Sequence, residues 1–538
     1  MKRREFLQVS ALASVHLALG NGVAVARENE RLPKVGSRNK GFEFEEATFG
    51  DLQSAMRSGK ETAVSICNKY LDRIDDLDRR GPSVNSVIEL NPDALAIARA
   101  LDRERKERGP RGPLHGIPVL IKDNIDTRDR MKTTAGSLAM LDAKPLRDSF
   151  VAQKLRDAGA IILGKTNLSE WANFRGDRST SGWSGRGGQT NNPYSLDRNP
   201  SGSSSGSAAA VTANFCAGAI GTETDGSIVS PSALCGLVGI KPTIGLVSRG
   251  GIIPIGHSQD TAGPMTRTVA DAAMLLGALA GYDSRDNATE AIRGKSPTDY
   301  MQFLDPGGLR GARIGVARKF FRSGPAEKLI EAAMDEMQRQ GATVIDPIDD
   351  PALTRFGDAE RTVLFYEFKH DLNAYLASLG DGAPVRSLKE IIEFNERNKD
   401  KELLYFGQET MLKAEEKGPL TEKEYLDAVA KCRRLSRDEG IDAAMQKHQL
   451  DAIIAPAGGP AAKTDHVNGD RGIGGSSSPA AVAGYPNITV PAGFVFGLPV
   501  GISFFGRAFS EPKLIKLAYA FEQATRCRKP PRLLTTVA

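Results

Sequence analysis

Apolar residues in the first part of the chain recur at helical spacing. In residues 48–73 and 92–108 they return every three or four positions with charged residues between them, and Gly-Pro pairs at 81–82 and 109–110 interrupt the pattern. This spacing places the apolar side chains on one face of a helix, and Gly-Pro pairs are typical breakers. We therefore predict that two or three helices open this part of the chain.

Short apolar runs of strand length follow, and helical patterns separate several of them. We predict strands at residues 117–121 and 160–163, with a helix over 149–158 before the second. Five further strand candidates lie at residues 312–317, 342–345, 451–455, 488–490 and 500–505. Alternation of strands and helices is typical of an α/β layering. The pattern predicts an α/β fold with a large mixed, partly parallel central sheet covered by helices.

Two longer segments are predicted to be helical for different reasons. Charged, helix-favouring sequence dominates residues 358–448, and its periodicity suits helices laid over one side of the sheet, so we interpret this segment as a cover. Residues 208–220 form the most apolar run, whose small side chains and internal Thr212 and Asn214 indicate a buried helix rather than a membrane span. We expect residues 27–538 to form one large domain.

Composition places the 538-residue chain among ordinary globular proteins. Hydrophobic side chains make up 40% and charged ones 25%, which excludes disorder as the main state. The 71 basic and 66 acidic residues give a net charge of +5, too weak to indicate nucleic-acid binding. The five cysteines contain no C-x-x-C pair, so we predict neither a disulfide framework nor a zinc site.

The first 26 residues have the composition of an export signal. A basic start with Arg3 and Arg4 precedes a modestly apolar stretch at 9–19, and residues 24–26 read AVA. This order is typical of a secretory signal peptide, and the arginine pair resembles the twin-arginine type, which a dedicated export machinery reads. We expect residues 1–26 to direct the protein to a bacterial periplasm or out of the cell. The alternative is an uncleaved amphipathic helix.

One motif match is rejected on physical grounds. Residues 159–166 read GAIILGKT and fit the phosphate-binding pattern G-x-x-x-x-G-K-T. A phosphate-binding loop needs flexible backbone after a strand, whereas here the four middle residues are themselves the predicted apolar strand. We therefore do not predict nucleotide binding.

A second match provides an alternative that stays open. Residues 202–206 read GSSSG and fit the G-x-S-x-G elbow that exposes a nucleophilic serine, here Ser204, in α/β-hydrolases. The polar, proline-broken residues 191–200 stand where the elbow needs a buried strand. An esterase of this type also needs a downstream histidine. The candidates are His257, His370, His448 and His466.

Two loops rich in serine and glycine, together with one lysine, indicate acyl-transfer chemistry without histidine. Residues 201–207 read SGSSSGS and residues 221–231 read GTETDGSIVSP, so hydroxyl and N–H groups concentrate there, as stabilisation of an oxyanion requires. Lys122 ends an apolar run, where desolvation would lower its pKa and provide a neutral amine as base. The structural alternatives are a flexible linker at 201–207 and a salt bridge from Lys122 to Asp123 or another carboxylate.

These pieces resemble the amidase signature family, whose pattern runs GIPVxVKDN, GGSSGGSAA and GTDTGGSIRxPA. This chain reads GIPVLIKDN at 116–124, SGSSSGSAA at 201–209 and GTETDGSIVSPS at 221–232, in the family's order. Similarity continues in GAIILGKTNLSE at 159–170 and in AGYPNITVPAGFVFGLPVGISFFG at 483–506. The resemblance therefore covers nearly all of the chain after residue 26.

The resemblance implies a serine amidase with a Ser-Ser-Lys triad. Carried over position by position, it makes Ser227 the nucleophile, Lys122 the general base, and Ser203 a bridging serine held through a cis peptide bond from Gly202. It places the oxyanion hole on the backbone N–H groups of Thr224, Asp225, Gly226 and Ser227. It implies no metal and no organic cofactor.

Several residues near the three catalytic candidates depart from the family pattern. The departures are Ser201, Ser205, Glu223, Asp225 and Val229. The variants TETDGSIV and SGSSSGS look most like bacterial peptide amidases, which remove the C-terminal amide of peptides. We therefore expect an exported amidase that hydrolyses peptide or small-molecule amides through a Ser227 acyl-enzyme. The alternatives are a broad aliphatic or aryl acylamidase, an esterase using Ser204, and a binding protein that keeps the fold without catalysis.

Overall fold

One sheet of eleven strands runs through the computed structural model, which describes residues 41–294, 297, 299–348, 351–470 and 475–537. The strands, including a separate ribbon of β4 and β5, are β1 (Val87–Leu90), β2 (Pro118–Lys122), β3 (Ile161–Thr166), β4 (Trp183–Ser184), β5 (Gly188–Gln189), β6 (Gly218–Glu223), β7 (Val238–Lys241), β8 (Thr261–Thr266), β9 (Arg313–Val316), β10 (Thr343–Ile345), β11 (Ala452–Gly458), β12 (Asn487–Val495) and β13 (Leu498–Phe505). Their order across the sheet is β1-β3-β2-β6-β8-β7-β12-β13-β11-β9-β10. The pairs β2–β3, β2–β6, β9–β10 and β9–β11 are parallel and the others antiparallel. The mixed, partly parallel sheet expected from the sequence is thereby confirmed.

Helices of very different length surround this sheet. The α-helices are α1 (Phe49–Arg57), α2 (Ala63–Arg73), α3 (Ala94–Arg108), α4 (Phe150–Asp157), α5 (Ser205–Thr212), α6 (Val229–Leu234), α7 (Val269–Leu279), α8 (Pro325–Arg339), α9 (Gly357–Ser378), α10 (Leu388–Arg397), α11 (Lys399–Glu402), α12 (Glu409–Glu415), α13 (Lys423–Arg433), α14 (Asp442–His448), α15 (Ser478–Ala483) and α16 (Glu511–Thr525). Wider π-helical turns continue α2 (Ile74–Arg80) and α13 (Arg434–Ile441). Short 3₁₀ turns lie at Leu138–Met140, Glu170–Asn173, Asn287–Ile292, Met301–Phe303, Arg318–Phe320, Pro351–Thr354 and Gly380–Gly382. Thr48, Thr62 and Thr268 cap α1, α2 and α7 with their side chains, as threonine does at helix starts.

All seven strands predicted from apolar runs are present, with ends that differ by up to five residues. The prediction at 117–121 becomes β2 at Pro118–Lys122, so Lys122 is the last residue of the strand rather than the first residue after it. Four strands of the large sheet, β1, β6, β7 and β8, were not predicted, and neither were the two short strands β4 and β5 of the separate ribbon. β8 reads TAGPMT, and its glycine and proline are depleted in strands, which hides it from a pattern of apolar residues.

The helix predicted over residues 208–220 is wrong in its second half. Helix α5 ends at Thr212, and β6 begins at Gly218. Between them Asn214 adopts a left-handed backbone with φ of 60°, which asparagine tolerates better than most residues and which no α-helix can contain. Its side chain also accepts a hydrogen bond from the Glu46 N–H, so tertiary contacts fix the break. The apolar run is therefore a buried helix followed by a buried strand.

Residues 357–448 contain six of the helices, α9 to α14, so the segment that the sequence predicted to be helical is helical over most of its length. Leu364, Phe368 and Leu372 of α9 pack with Met140 and Ile253 in one hydrophobic cluster of the core. Burial of these apolar side chains attaches the helical segment to the connecting segments around Met140 and Ile253. From Phe44 onward the chain forms one compact unit, whereas the signal predicted at residues 1–26 lies outside the described residues. Within the described part of the chain, no helix combines the length and the apolar character needed to span a membrane.

Candidate active site

Lys122 lies at the carboxyl end of β2, fully buried, beside the carboxyl end of the parallel strand β6. Its Nζ is 2.7 Å from Ser203 Oγ and 3.1 Å from Ser204 Oγ, and it also contacts Thr222 Oγ1 at 2.9 Å and the Thr222 carbonyl at 3.2 Å. A neutral amine has two N–H donors and one lone pair. Thr222 and Ser204 offer acceptors for the donors, and the lone pair can then accept the Ser203 proton.

Burial sets the charge state of this lysine. Desolvation lowers the pKa of Lys122 to about 7, and the more distant carboxylates of Asp260 and Glu223 act in the opposite direction without reversing it. Burial also raises the pKa of Asp260, to about 6. A substantial fraction of Lys122 is therefore neutral near pH 7, as a general base requires.

Ser203 precedes α5 and connects the lysine to the serine-rich loop. The peptide bond between Gly202 and Ser203 is cis, which is the arrangement that the resemblance implies. The Ser203 carbonyl accepts a hydrogen bond from the Ser169 N–H at 3.1 Å, and Gly202 lies against the Ser169 side chain so closely that a Cβ there would overlap with it. These contacts hold the Ser203 hydroxyl in the buried interior, 2.7 Å from Lys122 Nζ.

Ser227 lies on the loop between β6 and α6, and it lines an open cavity. Its carbonyl accepts the Ser204 N–H at 3.2 Å, which connects the two motif loops directly. Among the described residues, no hydrogen bond joins Ser227 Oγ to Ser203 Oγ. The structure thus brings Lys122 and Ser203 into contact and places Ser227 on the adjoining loop, where it lines the cavity.

Several contacts fix the loop that contains the predicted oxyanion donors. Glu223 Oε2 accepts the N–H groups of Ile228 and Val229, and Thr224 Oγ1 donates to Asp260 Oδ1 at 2.5 Å. Gly226 has a left-handed φ of 78°, which side-chain-bearing residues rarely adopt. With this geometry, the N–H groups of residues 225–227 donate to no protein acceptor within the described part of the chain. They are available to an oxyanion.

The cavity beside Ser227 has a volume of about 490 Å³. One wall comprises Gly202 and the loop residues 224, 225 and 227, and the opposite wall comprises residues 357–364 at the start of α9. A second cavity, of about 230 Å³, shares Ala172 and Ile255 with the first and reaches Thr222 beside the lysine. Two openings therefore converge on the residues that the sequence predicted.

The structure does not supply the histidine that the Ser204 elbow needs. Ser204 Oγ donates to the Thr222 carbonyl at 3.0 Å and accepts the Thr222 N–H at 3.2 Å, and no histidine of the described residues hydrogen bonds to it. Within the described chain, no strand leads directly into Ser204, since residues 191–200 form turns. The rejected phosphate motif also has a structural role: Lys165 is buried in β3, and its Nζ donates to the Ile125 carbonyl and to Thr133 Oγ1.

His257, Glu367 and Asp371 form the one group in the described residues whose ligand atoms are close enough to hold a metal ion. The His257 ring already lies between the two carboxylates, with Nδ1 2.8 Å from Asp371 Oδ2 and Nε2 3.4 Å from Glu367 Oε1. The hydrogen bond to Asp371 raises the pKa of His257. These distances describe an imidazolium that pairs with two carboxylates of α9, and the geometry explains the cluster without a metal ion.

Sequence reasoning did not identify three polar residues of this site. Thr222 and Asn124 lie within the motifs, and Asn124 Nδ2 donates to Thr222 Oγ1 at 3.0 Å, so the motif letters themselves were a usable signal. Glu360 belongs to α9, and the sequence of this segment predicts only a charged helix. Its position in the cavity wall depends on the tertiary fold.

Comparison with protein families gives one match over most of the chain. The Amidase family model matches residues 65–515. Among curated proteins, a probable amidase of Arabidopsis thaliana is 44% identical over 502 residues, which cover 92% of this chain and 93% of the plant protein.

Solved structures of peptide amidase are similar to this chain over almost their whole length. The native peptide amidase of Stenotrophomonas maltophilia superposes with a TM-score of 0.87 at 52% identity and covers 91% of this chain and 99% of its own. A peptide amidase in complex with the competitive inhibitor chymostatin matches with the same values. Both the sheet order and the motif loops described above therefore have relatives of known structure.

Proposed function

The chain belongs to the amidase family and is an amide-hydrolysing enzyme, and we propose that its best substrates are the C-terminal amides of peptides. The observation that carries the catalytic part is the contact of Lys122 Nζ with Ser203 Oγ at 2.7 Å, next to the loop on which Ser227 lines an open cavity. A buried lysine with a lowered pKa, two serines and free N–H groups together form a set suited to acyl transfer.

The proposed reaction needs only residues of this chain and water. Ser227 Oγ attacks the amide carbonyl carbon, and its proton passes through Ser203 Oγ to the neutral amine of Lys122. Backbone N–H groups of the loop 224–227 bind the developing oxyanion. When the C–N bond breaks, the proton returns through Ser203 to the leaving nitrogen, which departs as ammonia from a primary amide. Water then attacks the acyl-enzyme and releases the carboxylic acid, which restores the Ser227 hydroxyl.

The relay requires one movement. Because the two serine hydroxyls form no hydrogen bond in this structure, rotation about χ1 of Ser203 or Ser227 has to bring them together when substrate binds. Rotation between staggered positions moves Oγ without displacing the backbone. The backbone contact from the Ser204 N–H to the Ser227 carbonyl keeps the two loops adjacent during this rotation.

Two observations support peptides as substrates. The chain is 52% identical to the Stenotrophomonas maltophilia peptide amidase over 91% of its length, and the peptide amidase complex with chymostatin has the same fold. The cavity of about 490 Å³ beside Ser227 is open to solvent, so residues that precede the terminal amide can extend outward between the loop and α9.

A substrate panel tests this proposal. Purified enzyme is given an amidated peptide, the same peptide with a free carboxyl end, a simple aliphatic amide, an aryl anilide and an aryl ester. We expect ammonia from the amidated peptide at the highest kcat/KM, with mass spectrometry showing a carboxylate in place of the amide. Faster turnover of the anilide or aliphatic amide would favour a broad acylamidase. Turnover of the ester alone would favour the Ser204 esterase, and no reaction at all would favour a binding protein.

We also propose that the protein is exported through the twin-arginine machinery. The support is the order of Arg3-Arg4, the apolar stretch and the AVA sequence at 24–26. In a bacterial host we expect the protein in the periplasmic fraction, with an N-terminal sequence that begins near Arg27. Replacement of both Arg3 and Arg4 by lysine should retain it in the cytoplasm. Full-length protein in the cytoplasm of the wild-type strain would contradict export.

A further inference from the structure

Glu360 of the cover helix α9 meets Asp225 of the catalytic loop inside the cavity. Both residues line the cavity that contains Ser227, and the Asp225 carboxyl group is a neighbour of the Glu360 carboxyl group, close enough to act on it by charge and as a potential hydrogen-bond partner. Asp225 Oδ1 is buried and receives no N–H or hydroxyl hydrogen bond from the described residues. Two carboxyl groups form such a bond only when one of them carries a proton, because two carboxylates offer acceptors and no donor.

Two further side chains fix this carboxyl pair to the loop. Gln259 is buried and donates from Nε2 to Glu360 Oε1 at 3.0 Å and to the Thr224 carbonyl at 3.3 Å. On the other side, Ser478 Oγ donates to Asp225 Oδ2 at 2.6 Å. Helix α9 is therefore connected through Glu360 to both Thr224 and Asp225, whose backbone belongs to the predicted oxyanion hole.

We propose that Glu360 is a positioning residue whose proton holds the loop 224–227 in its catalytic conformation, so that loss of this proton at alkaline pH loosens the loop and lowers activity. The residue acts through Asp225, not by contact with the reacting atoms. This inference rests on the proposed amide hydrolysis at Ser227, because the loop matters to that reaction alone.

The electrostatic surroundings favour a proton on Glu360. Burial, and then the Asp225 carboxylate, raise the pKa of Glu360 well above its usual range, and Arg361 on the same helix opposes this only in part. The other titratable groups that face the pair are Cys432 on α13, and Lys241 and Glu223 on the sheet side of Asp225. Ionisation of Glu360 would place two carboxylates in contact, and their repulsion is strong where water is scarce.

The test compares the dependence of kcat/KM on pH for three variants, with whichever amide the wild type hydrolyses. In the wild type, kcat/KM should fall by about tenfold per pH unit beyond the pKa of Glu360. Glu360→Gln keeps an N–H donor for Asp225 at every pH, so its alkaline decline should disappear. Glu360→Ala lacks the contact at every pH and should have a lower kcat throughout. Asp358→Asn is the matched control, because it removes a carboxylate from the same turn of α9 and leaves the pair intact; its alkaline decline should match the wild type.

A second variant covers the case in which Glu360→Gln does not fold. Asp225→Asn provides an amide donor to an ionised Glu360 and should also remove the alkaline decline, even if its plateau rate is lower. An alkaline decline that persists in Glu360→Gln or in Asp225→Asn, or that the wild type lacks, overturns the inference. These outcomes are distinct from failure of the proposed function, in which the wild type hydrolyses no amide at any pH.

Discussion

Arg186 Nη1 donates to Asp123 Oδ1 at 3.2 Å, although Asp123 follows the candidate base Lys122 directly in the sequence. Neighbouring residues at a strand end point to opposite faces, so the two side chains enter different environments. The salt bridge between Lys122 and Asp123 that the sequence left open is therefore absent. All four hydrogen-bond partners of Lys122 Nζ are uncharged oxygen atoms of Ser203, Ser204 and Thr222.

The lack of a carboxylate partner for Lys122 predicts how kcat/KM depends on pH on the acid side of the profile. Because burial lowers the pKa of Lys122 to about 7, kcat/KM should rise about tenfold per pH unit below that value and level off above it. Lys122→Ala should lose most of the rate together with this rise. Lys122→Arg should fail equally, because a guanidinium does not lose its proton in this range. Initial rates across the pH range measure both effects.

The control for this experiment is His257→Gln, since His257 lines the second cavity and is itself titratable, with a pKa that its hydrogen bond to Asp371 raises. The variant should keep the rise with pH. If the rise disappears in His257→Gln, or if Lys122→Arg keeps full turnover, the lysine serves as a fixed positive charge and another group is the base.

Removal of the nucleophile should abolish chemistry and spare the fold. Ser227→Ala removes one hydroxyl from a residue that lines a cavity, so we expect kcat to fall roughly 10⁴-fold or more, with an unchanged denaturation midpoint. Ser230→Ala is the matched control, three residues along the same segment, where Oγ contacts only Ser201 Oγ at 2.8 Å. Activity in Ser227→Ala comparable to that of Ser230→Ala would exclude Ser227 as nucleophile.

The bridging serine should matter less than the nucleophile. In Ser203→Ala a water molecule can partly replace the hydroxyl between Lys122 and Ser227, so we expect kcat to fall by about 10² to 10⁴ while KM changes little. Ser205→Ala serves as control, because that hydroxyl donates to the Ser201 carbonyl at 2.6 Å and does not reach Lys122. Equal kcat values for Ser203→Ala and the wild type would rule out the relay.

The sequence predicted much of this site because its main parts are local. Lys122 ends an apolar run, and the serine-rich loop is a continuous motif, so residue order alone identifies them. The wall formed by α9 was not predictable, since Glu360 reaches Asp225 across 135 residues of sequence and no local pattern records that contact. β8 escaped prediction for a related reason: Gly263 and Pro264 weaken its strand pattern, and pairing with β6 and β7 overrides that weakness.

Gly226 should be sensitive to the smallest side chain. Its φ of 78° is unfavourable for alanine, and an added Cβ would lie 2.9 Å from Ser477 Oγ, so Gly226→Ala should displace the oxyanion loop. We expect a stability loss of roughly 1–3 kcal/mol and a fall in kcat. Gly497→Ala is the matched control: φ is 77°, and nothing lies within 4 Å of its added Cβ. It should lose stability and keep kcat. Loss of kcat in both variants would assign the effect to general destabilisation.

A second carboxyl pair predicts how stability depends on pH. Burial, and then the neighbouring Glu170, raise the pKa of Glu402 to about 9. The Glu402 side chain accepts the Leu138 N–H at Oε1, and Arg175 Nη1 donates to Glu170 Oε1 at 2.6 Å. Glu402 Oε2 is buried and has no hydrogen-bond partner in the described residues, with Arg175 Nη1 4.0 Å away, as expected for an atom that bears a proton.

Glu402 is a group whose pKa is higher in the folded state than in the unfolded chain. Such a group stabilises the fold fully at pH values below its pKa in the unfolded chain. This stabilisation is lost as the pH rises through its pKa in the folded state. The free energy of unfolding should therefore fall between the ordinary pKa of glutamate, about 4.3, and about 9, by at most about 1.4 kcal/mol per pH unit from this group. Glu402→Gln keeps an N–H donor toward Glu170 and does not titrate, so this part of the slope should vanish in denaturant titrations at several pH values. Glu393→Gln, at an exposed site on α10, should keep the wild-type slope. If Glu402→Gln retains that slope as well, Glu402 is already ionised at neutral pH, and Arg175 must hold two carboxylates instead of a carboxyl pair.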